Sequence, residues 1–176
     1  MPLAVSLPPR PLRSAVVAAA DLAGLAFATP PALGANAPMP LGIQGRWVLD
    51  RDRSDYDEAT LGPKPASADV EVERDDGRTL KLNWSVVDSD GRRHLESFEA
   101  PLTGRSAAGV IDGRPMRVSL MRMSLRSVLI TTSLDNGRWD YIVAYLSDAG
   151  ALTFDEDSFA PDGQQRQMTF VFRRPG

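Results

Sequence analysis

The chain has 176 residues, a formal net charge of -3 and 43% hydrophobic residues. That is enough for one domain with a sizeable core, and the acidic balance offers no basic surplus to draw in nucleic acid. There is no cysteine, which excludes a disulfide, a thiolate nucleophile and any Cys-ligated metal site.

The first forty residues differ in composition from the rest. Arg10 and Arg13 precede an Ala/Val/Leu-rich run, and a Pro/Ala/Gly-rich stretch follows. Basic region, apolar run and small-residue zone, in that order, read as a secretory signal, with Ala26-Phe27-Ala28 or the region of Ala35 to Ala37 as cleavage zone. Asp21 interrupts the apolar run, which is too short and too broken to span a bilayer. We place this leader at 1–37 and the folded domain at 38–176, with the periplasm or the medium as destination. Loss of the leader removes two arginines and one aspartate, taking the charge from -3 to about -4.

From about residue 42 the pattern is strand and turn. Gly45-Arg46-Trp47 opens the first apolar run. Ser54 can cap one helical turn with Asp57 at its third position, and Pro63 and Pro65 make the following loop unsuited to ladder pairing. Asp-Gly or Asn-Gly turns then recur at Gly77, Gly91, Gly113, Gly137 and Gly163, with a further turn at Asp148-Ala149-Gly150. Each supplies the positive φ that a tight hairpin needs. The spacing predicts about nine or ten short strands, and consecutive hairpins without covering helices fit a sandwich or an up-and-down barrel.

The alternation predicts an interior. Leu80, Leu82, Trp84 and Val86 share one face, as do Val128, Ile130, Thr132 and Leu134. The run 139–146 is apolar on most of both faces, with Trp139, Tyr141, Val143 and Tyr145 opposite Asp140, Ile142, Ala144 and Leu146. Met168, Phe170 and Phe172 line the last strand. His94 and Glu96 mix with Phe98 on one face, as in a polar-lined cavity or a plain edge strand.

Gly45-Arg46-Trp47 at the start of the first strand and Arg173-Arg174 at the end of the last resemble the calycin pattern of lipocalins and fatty-acid-binding proteins. The resemblance implies that Trp47 plugs the closed end while a terminal arginine packs over it. Arginine suits that role because it stacks on indole and satisfies several carbonyls at once. The stretch 45–57, Ser147 to Thr153 and Pro161-Asp162-Gly163-Gln164 are together similar to a family of small exported bacterial lipocalin-like proteins, over residues 42–174. A lipocalin carries Thr-Asp-Tyr in a loop, whereas Trp139-Asp140-Tyr141 here reads as strand. Most members of that family have no established activity, so the resemblance implies a fold and an export route more than a function.

Catalytic and metal readings are weaker than simple structural ones. His94 is the only histidine, hence the only base a Ser-His-Asp arrangement could use, and it follows a turn where a solvent-facing histidine is ordinary. The acidic corners Asp50 to Glu58 and Asp155 to Asp157 lack calcium-loop spacing. Met116, Met121 and Met123 fall in one stretch, and Met121 and Met123, on one strand face, could converge on a soft metal, but soft packing in a core or cavity is the simpler reading. Arg105, Arg114, Arg117 and Arg122 could hold a ligand's acidic head in a barrel mouth.

The expectation is therefore an all-β, antiparallel up-and-down barrel of about 8–10 strands. It is non-catalytic, needs no metal or cofactor, and is a monomer or weak dimer holding a small hydrophobic or amphipathic molecule. Trp84, Arg117, Arg122, Trp139, Tyr141, Tyr145 and Phe170 are the expected ligand contacts, and Gly45, Trp47 and Arg173 the expected closure. The alternative is a filled barrel or sandwich acting as an envelope structural or protein-interaction module.

Overall fold

The computed structural model describes residues 38–56, 58 and 63–176. The leader expected over 1–37, and Asp57 of the expected helical turn, lie outside the described residues. Among the described residues eleven strands follow one another: β1 (Gly45–Leu49), β2 (Asp55–Tyr56), β3 (Ser67–Asp75), β4 (Thr79–Val87), β5 (Arg93–Pro101), β6 (Thr103–Ile111), β7 (Arg114–Arg122), β8 (Ser127–Leu134), β9 (Trp139–Leu146), β10 (Leu152–Phe159) and β11 (Gln165–Arg173). From β3 to β11 every strand pairs antiparallel with the next, β1 pairs with β3, and β2 adds to β11. Pairing of β1 with β11, Val48 opposite Arg173 and Leu49 opposite Phe172, closes the sheet. The fold is thus a closed antiparallel up-and-down barrel of ten strands, with β2 as a short appendage. Closure leaves no long unpaired edge.

The turns form for the reason their sequences give. All six of these turn glycines have positive φ, and Asp112 joins Gly113 there at φ 49°. Two consecutive positive φ values are what a two-residue hairpin needs to follow strand twist. Ser54 spends its hydroxyl on tertiary structure, donating to the Asp50 carbonyl (2.8 Å) and accepting from the Val171 amide (3.0 Å).

The two ends of the barrel differ. At the closed end, chain 38–44 crosses the floor, and Leu41, Ile43 and Trp47 are buried beneath Leu80, Leu120, Val128, Leu152 and Phe172. Three amides of this segment, Leu41, Gly42 and Ile43, donate to the buried Asp75 carboxylate at 2.8, 2.7 and 3.1 Å. The Trp47 indole donates to the Ile43 carbonyl (2.7 Å).

The expected aromatic closure is made by Arg174, whose guanidinium lies 3.9 Å from the centre of the Trp47 ring. Arg173, the arginine expected there, is exposed and paired with Val48 in the ladder. The reason is parity: Phe172 faces in, so residue 173 faces out and 174 turns back. Gly45, at φ 109°, leaves room for that guanidinium, because a Cβ there would stand 2.5 Å from Arg174 Nη1. Replacing Arg174 by Ala removes the stack and its packing. The expected cost is about 1 kcal/mol of unfolding free energy in urea titration. No loss would mean the stack is incidental.

Candidate functional site

The interior is filled at the closed end and hollow at the other. A cavity of about 580 Å³ opens among the turns at Asp88, Asp112, Asn136 and Pro161. Its apolar base is Trp84, Phe170 and Ile142, with Val86, Met168 and Tyr56 higher up. Trp84 packs at 5.0 Å on Phe154 and edge-on to Phe170 (5.7 Å) and Phe172 (5.8 Å), so an aromatic cluster separates cavity from packed core. A second concavity, about 650 Å³, lies on the barrel's flank and is lined by outward residues such as Arg46, Asp69, Asn83 and Arg93. Arg46 and Asp69 pair there at 2.9 Å, exposed to solvent. We take the interior cavity as the functional candidate, because it combines an apolar base with converging buried polar groups.

Those polar groups sit at inward positions near the mouth ends of their strands. Glu96 lies on β5 in phase with Phe98 and Ala100, Asp140 on β9 in phase with Ile142 and Ala144, and Glu156 on β10 in phase with Leu152 and Phe154. Asp140 is buried and fully engaged. It accepts from Thr132 Oγ1 (2.8 Å), Ser158 Oγ (2.6 Å) and Arg138 Nε (3.2 Å). Arg138 also reaches toward Glu156, at 3.9 Å.

The two glutamates are less well served. Burial, aided by the negative charge of Asp140 and opposed by Arg138, pushes the Glu96 carboxyl up to about 7 and that of Glu156 up to about 8. Both therefore exchange a proton near neutrality. The Trp84 indole N–H and Arg166 Nε, also lining the cavity, are buried without a hydrogen-bond partner among the described residues.

At the rim, the His94 ring lies between two carboxylates, with Nδ1 2.8 Å from Asp112 and Nε2 3.0 Å from Asp88. Hydrogen bonds to Asp112 and then Asp88 raise its affinity for a proton. With both nitrogens committed, the imidazole is a clasp between the β4–β5 and β6–β7 turns and leaves no free nitrogen to act as base. Among the described residues, no group of three His, Cys, Asp or Glu is placed to hold a metal ion.

Of the residues singled out from sequence, Trp84, Arg114 and Phe170 line this cavity. Trp139, Tyr141 and Tyr145 are on the outer face of β9, where Trp139 stacks on Phe159 at 3.8 Å. Arg117 is also outside, in the exposed phase of β7. Arg122 is in the inward phase but at the closed end, donating to the carbonyls of Met39 (2.8 Å) and Gly77 (3.4 Å) as a strap for the floor segment. Met116 is buried in the core, whereas Met121 and Met123 are exposed and pack in neither core nor cavity. Sequence reasoning passed over Arg138, Asp140 and Arg166 as site residues, and met Glu156 only within an acidic corner weighed for calcium. The available signal was phase: each acid shares its strand face with core residues.

Fold and site together define a closed β-barrel with a polar-lined interior cavity at one end. No known family model matches the chain, and no curated protein is similar to it. No helix among the described residues is long and apolar enough to cross a membrane.

Proposed function

We propose that this protein is an exported, lipocalin-like, non-catalytic binder of a small amphipathic molecule, held in the mouth of the barrel. The observation that carries the reading is the cavity of about 580 Å³, with aromatic base and polar wall, in a barrel packed everywhere below it. A void of that size forfeits packing that a filled barrel would retain, and the wall adds the cost of burying Glu96 and Glu156. A bound molecule offsets both. The commitment of both His94 nitrogens supports a binding role over hydrolysis, and the leader sequence supports export.

Native mass spectrometry of gently purified protein, with an organic extract alongside, tests this. The expected result is a discrete adduct that is lost on denaturation and recovered in the extract. A clean mass, with no enhancement of a hydrophobic dye, would favour the second reading, an envelope interaction module. The flank concavity of about 650 Å³ beside outward Leu95 and Val110 is the observation in that reading's favour.

A further inference from the structure

Cavity chemistry narrows the kind of molecule that fits. Five carboxyl groups line it, those of Asp88, Glu96, Asp112, Asp140 and Glu156, against the arginines 114, 138 and 166. At the rim, Asp88 and Asp112 are held by His94. Deeper in, Asp140 and Arg138 satisfy one another. That leaves Glu96 and Glu156 with no hydrogen bond among the described residues. The Glu156 side chain is only 8% exposed, and its one charged contact is Arg138 at 3.9 Å. Arg166 and the Tyr56 phenol face the cavity from β11 and β2, and burial, helped by the charge of Glu156, raises the Tyr56 phenol while Arg166 opposes it. Buried carboxyls without partners are costly, and a positive charge brought between them removes that cost. Two donors in the same cavity also lack a partner among the described residues, the indole N–H of Trp84, which is 7% exposed, and Arg166 Nε; they call for an acceptor elsewhere on the ligand, which an ammonium does not supply.

Resting on the binding reading above, we infer that the ligand is an organic cation: an amine on an apolar body, its ammonium placed between Glu96 and Glu156 and its body lying on Trp84, Phe170 and Ile142. Aromatic faces at the base suit a cation as well as its hydrocarbon. An anionic head would instead enter a wall where carboxyls outnumber guanidiniums. One of those guanidiniums, Arg138, is already tied to Asp140.

Binding is then linked to protons. In the empty cavity the two carboxyls are largely protonated below pH 7 and ionised above 8, so an ammonium binding at pH 7 must expel protons. Affinity rises with pH through that window and levels off above it.

The test uses three probes with one tail, octylamine, octanoate and octan-1-ol, titrated calorimetrically into the full chain at pH 6 and pH 8.5. The expected result is octylamine binding about tenfold or more tighter than either other probe at pH 8.5. Its affinity falls about tenfold or more at pH 6, and the observed heats at pH 7 depend on the buffer's ionisation enthalpy. Glu156→Gln, an uncharged match in shape, loses about tenfold or more of octylamine affinity and changes octan-1-ol affinity much less. Octanoate binding best, or octylamine binding no better than octan-1-ol, would overturn the cation while leaving a binding cavity in place. Failure of all three probes to bind would overturn the cation and the binding reading together.

Discussion

Ligand-free protein is expected to lose on the order of 3–5 kcal/mol of stability between pH 5 and pH 8. Glu96 and Glu156 are the cause, held at about 7 and about 8 against an ordinary value of 4.5. The folded state keeps these protons where the unfolded chain has released them. Stability therefore falls as pH climbs from 4.5 until each folded-state value is passed, at about 1.4 kcal/mol per unit per group. The two contributions do not simply add, because the charge of Glu96 is one of the things that raises Glu156. Groups shifted the other way do not mask the fall. Asp76 and Glu73 titrate below their ordinary values, so whatever stability they give is complete by pH 5. His94 is raised, so its contribution is whole below about 6.5 and declines as pH rises through its folded value. That adds in the same direction, weakly, because the ring is 46% exposed. Urea unfolding at four pH values checks the prediction. Glu156→Gln and Glu96→Gln should each flatten the slope, and the double variant should exceed the parent in stability at pH 8. A profile that is level or rises from pH 5 to 8 would mean that the two carboxyls are solvated or paired after all.

This penalty ties stability to function. A cavity wall that stores several kcal/mol of unpaired carboxyl at pH 8 gains most from a ligand that supplies the missing charge. Binding to the folded state alone then raises the unfolding free energy by mass action. The same chemistry explains why the site was only partly legible in the sequence. The barrel could be read because its signals are local: an Asx-Gly pair at five of the turns, and alternation along most strands. The alternation of β4, Leu80 to Val86, and of β8, Val128 to Leu134, is the inward face of the barrel.

Strand β9 shows where local signals stop. Its two faces are nearly equal in apolar content, and hydrophobicity favours the one bearing Trp139, Tyr141 and Tyr145. The barrel turns the other face inward. Asp140 can be buried there because Thr132 on β8, Ser158 on β10 and Arg138 at the start of its own hairpin arm satisfy it. Those partners become neighbours only after two ladders have formed, at Thr132 opposite Asp140 and Ser158 opposite Asp140. Arg122 lies away from the cavity for a related reason. Strand phase sets which side of the sheet a residue faces, but not which end of the barrel it reaches. A β7 strand that leaves the mouth at Arg114 delivers Arg122 to the floor.

The floor carries the other large expected effect. Asp75→Ala should cost on the order of 4 kcal/mol. The carboxylate is 4% exposed and takes three amide hydrogens from Leu41, Gly42 and Ile43. Alanine leaves those donors with no acceptor in a site that admits little water, and each buried unsatisfied amide costs about 1–3 kcal/mol. The loss spreads through contacts already described. Ile43 provides the carbonyl that holds the Trp47 indole, and Met39, on the same segment, accepts from Arg122. Gly77 packs so closely beneath that a Cβ would stand 2.4 Å from the Pro38 carbonyl oxygen. Detaching the segment therefore uncovers Leu41 and Ile43 together, adding lost apolar burial to lost hydrogen bonds. Asp75→Asn is the informative companion. It keeps the shape and one acceptor oxygen, but turns an NH₂ toward amides that need acceptors, so it should fall between parent and alanine. Urea midpoints for the three proteins, with hydrogen exchange at Leu41 and Ile43, separate the outcomes. Fast exchange confined to 41–43 with an unchanged midpoint would mean that the segment is a loose cover and the barrel stands without it. A lowered midpoint with exchange rising throughout the sheet would make this one carboxylate the clamp on which barrel closure depends.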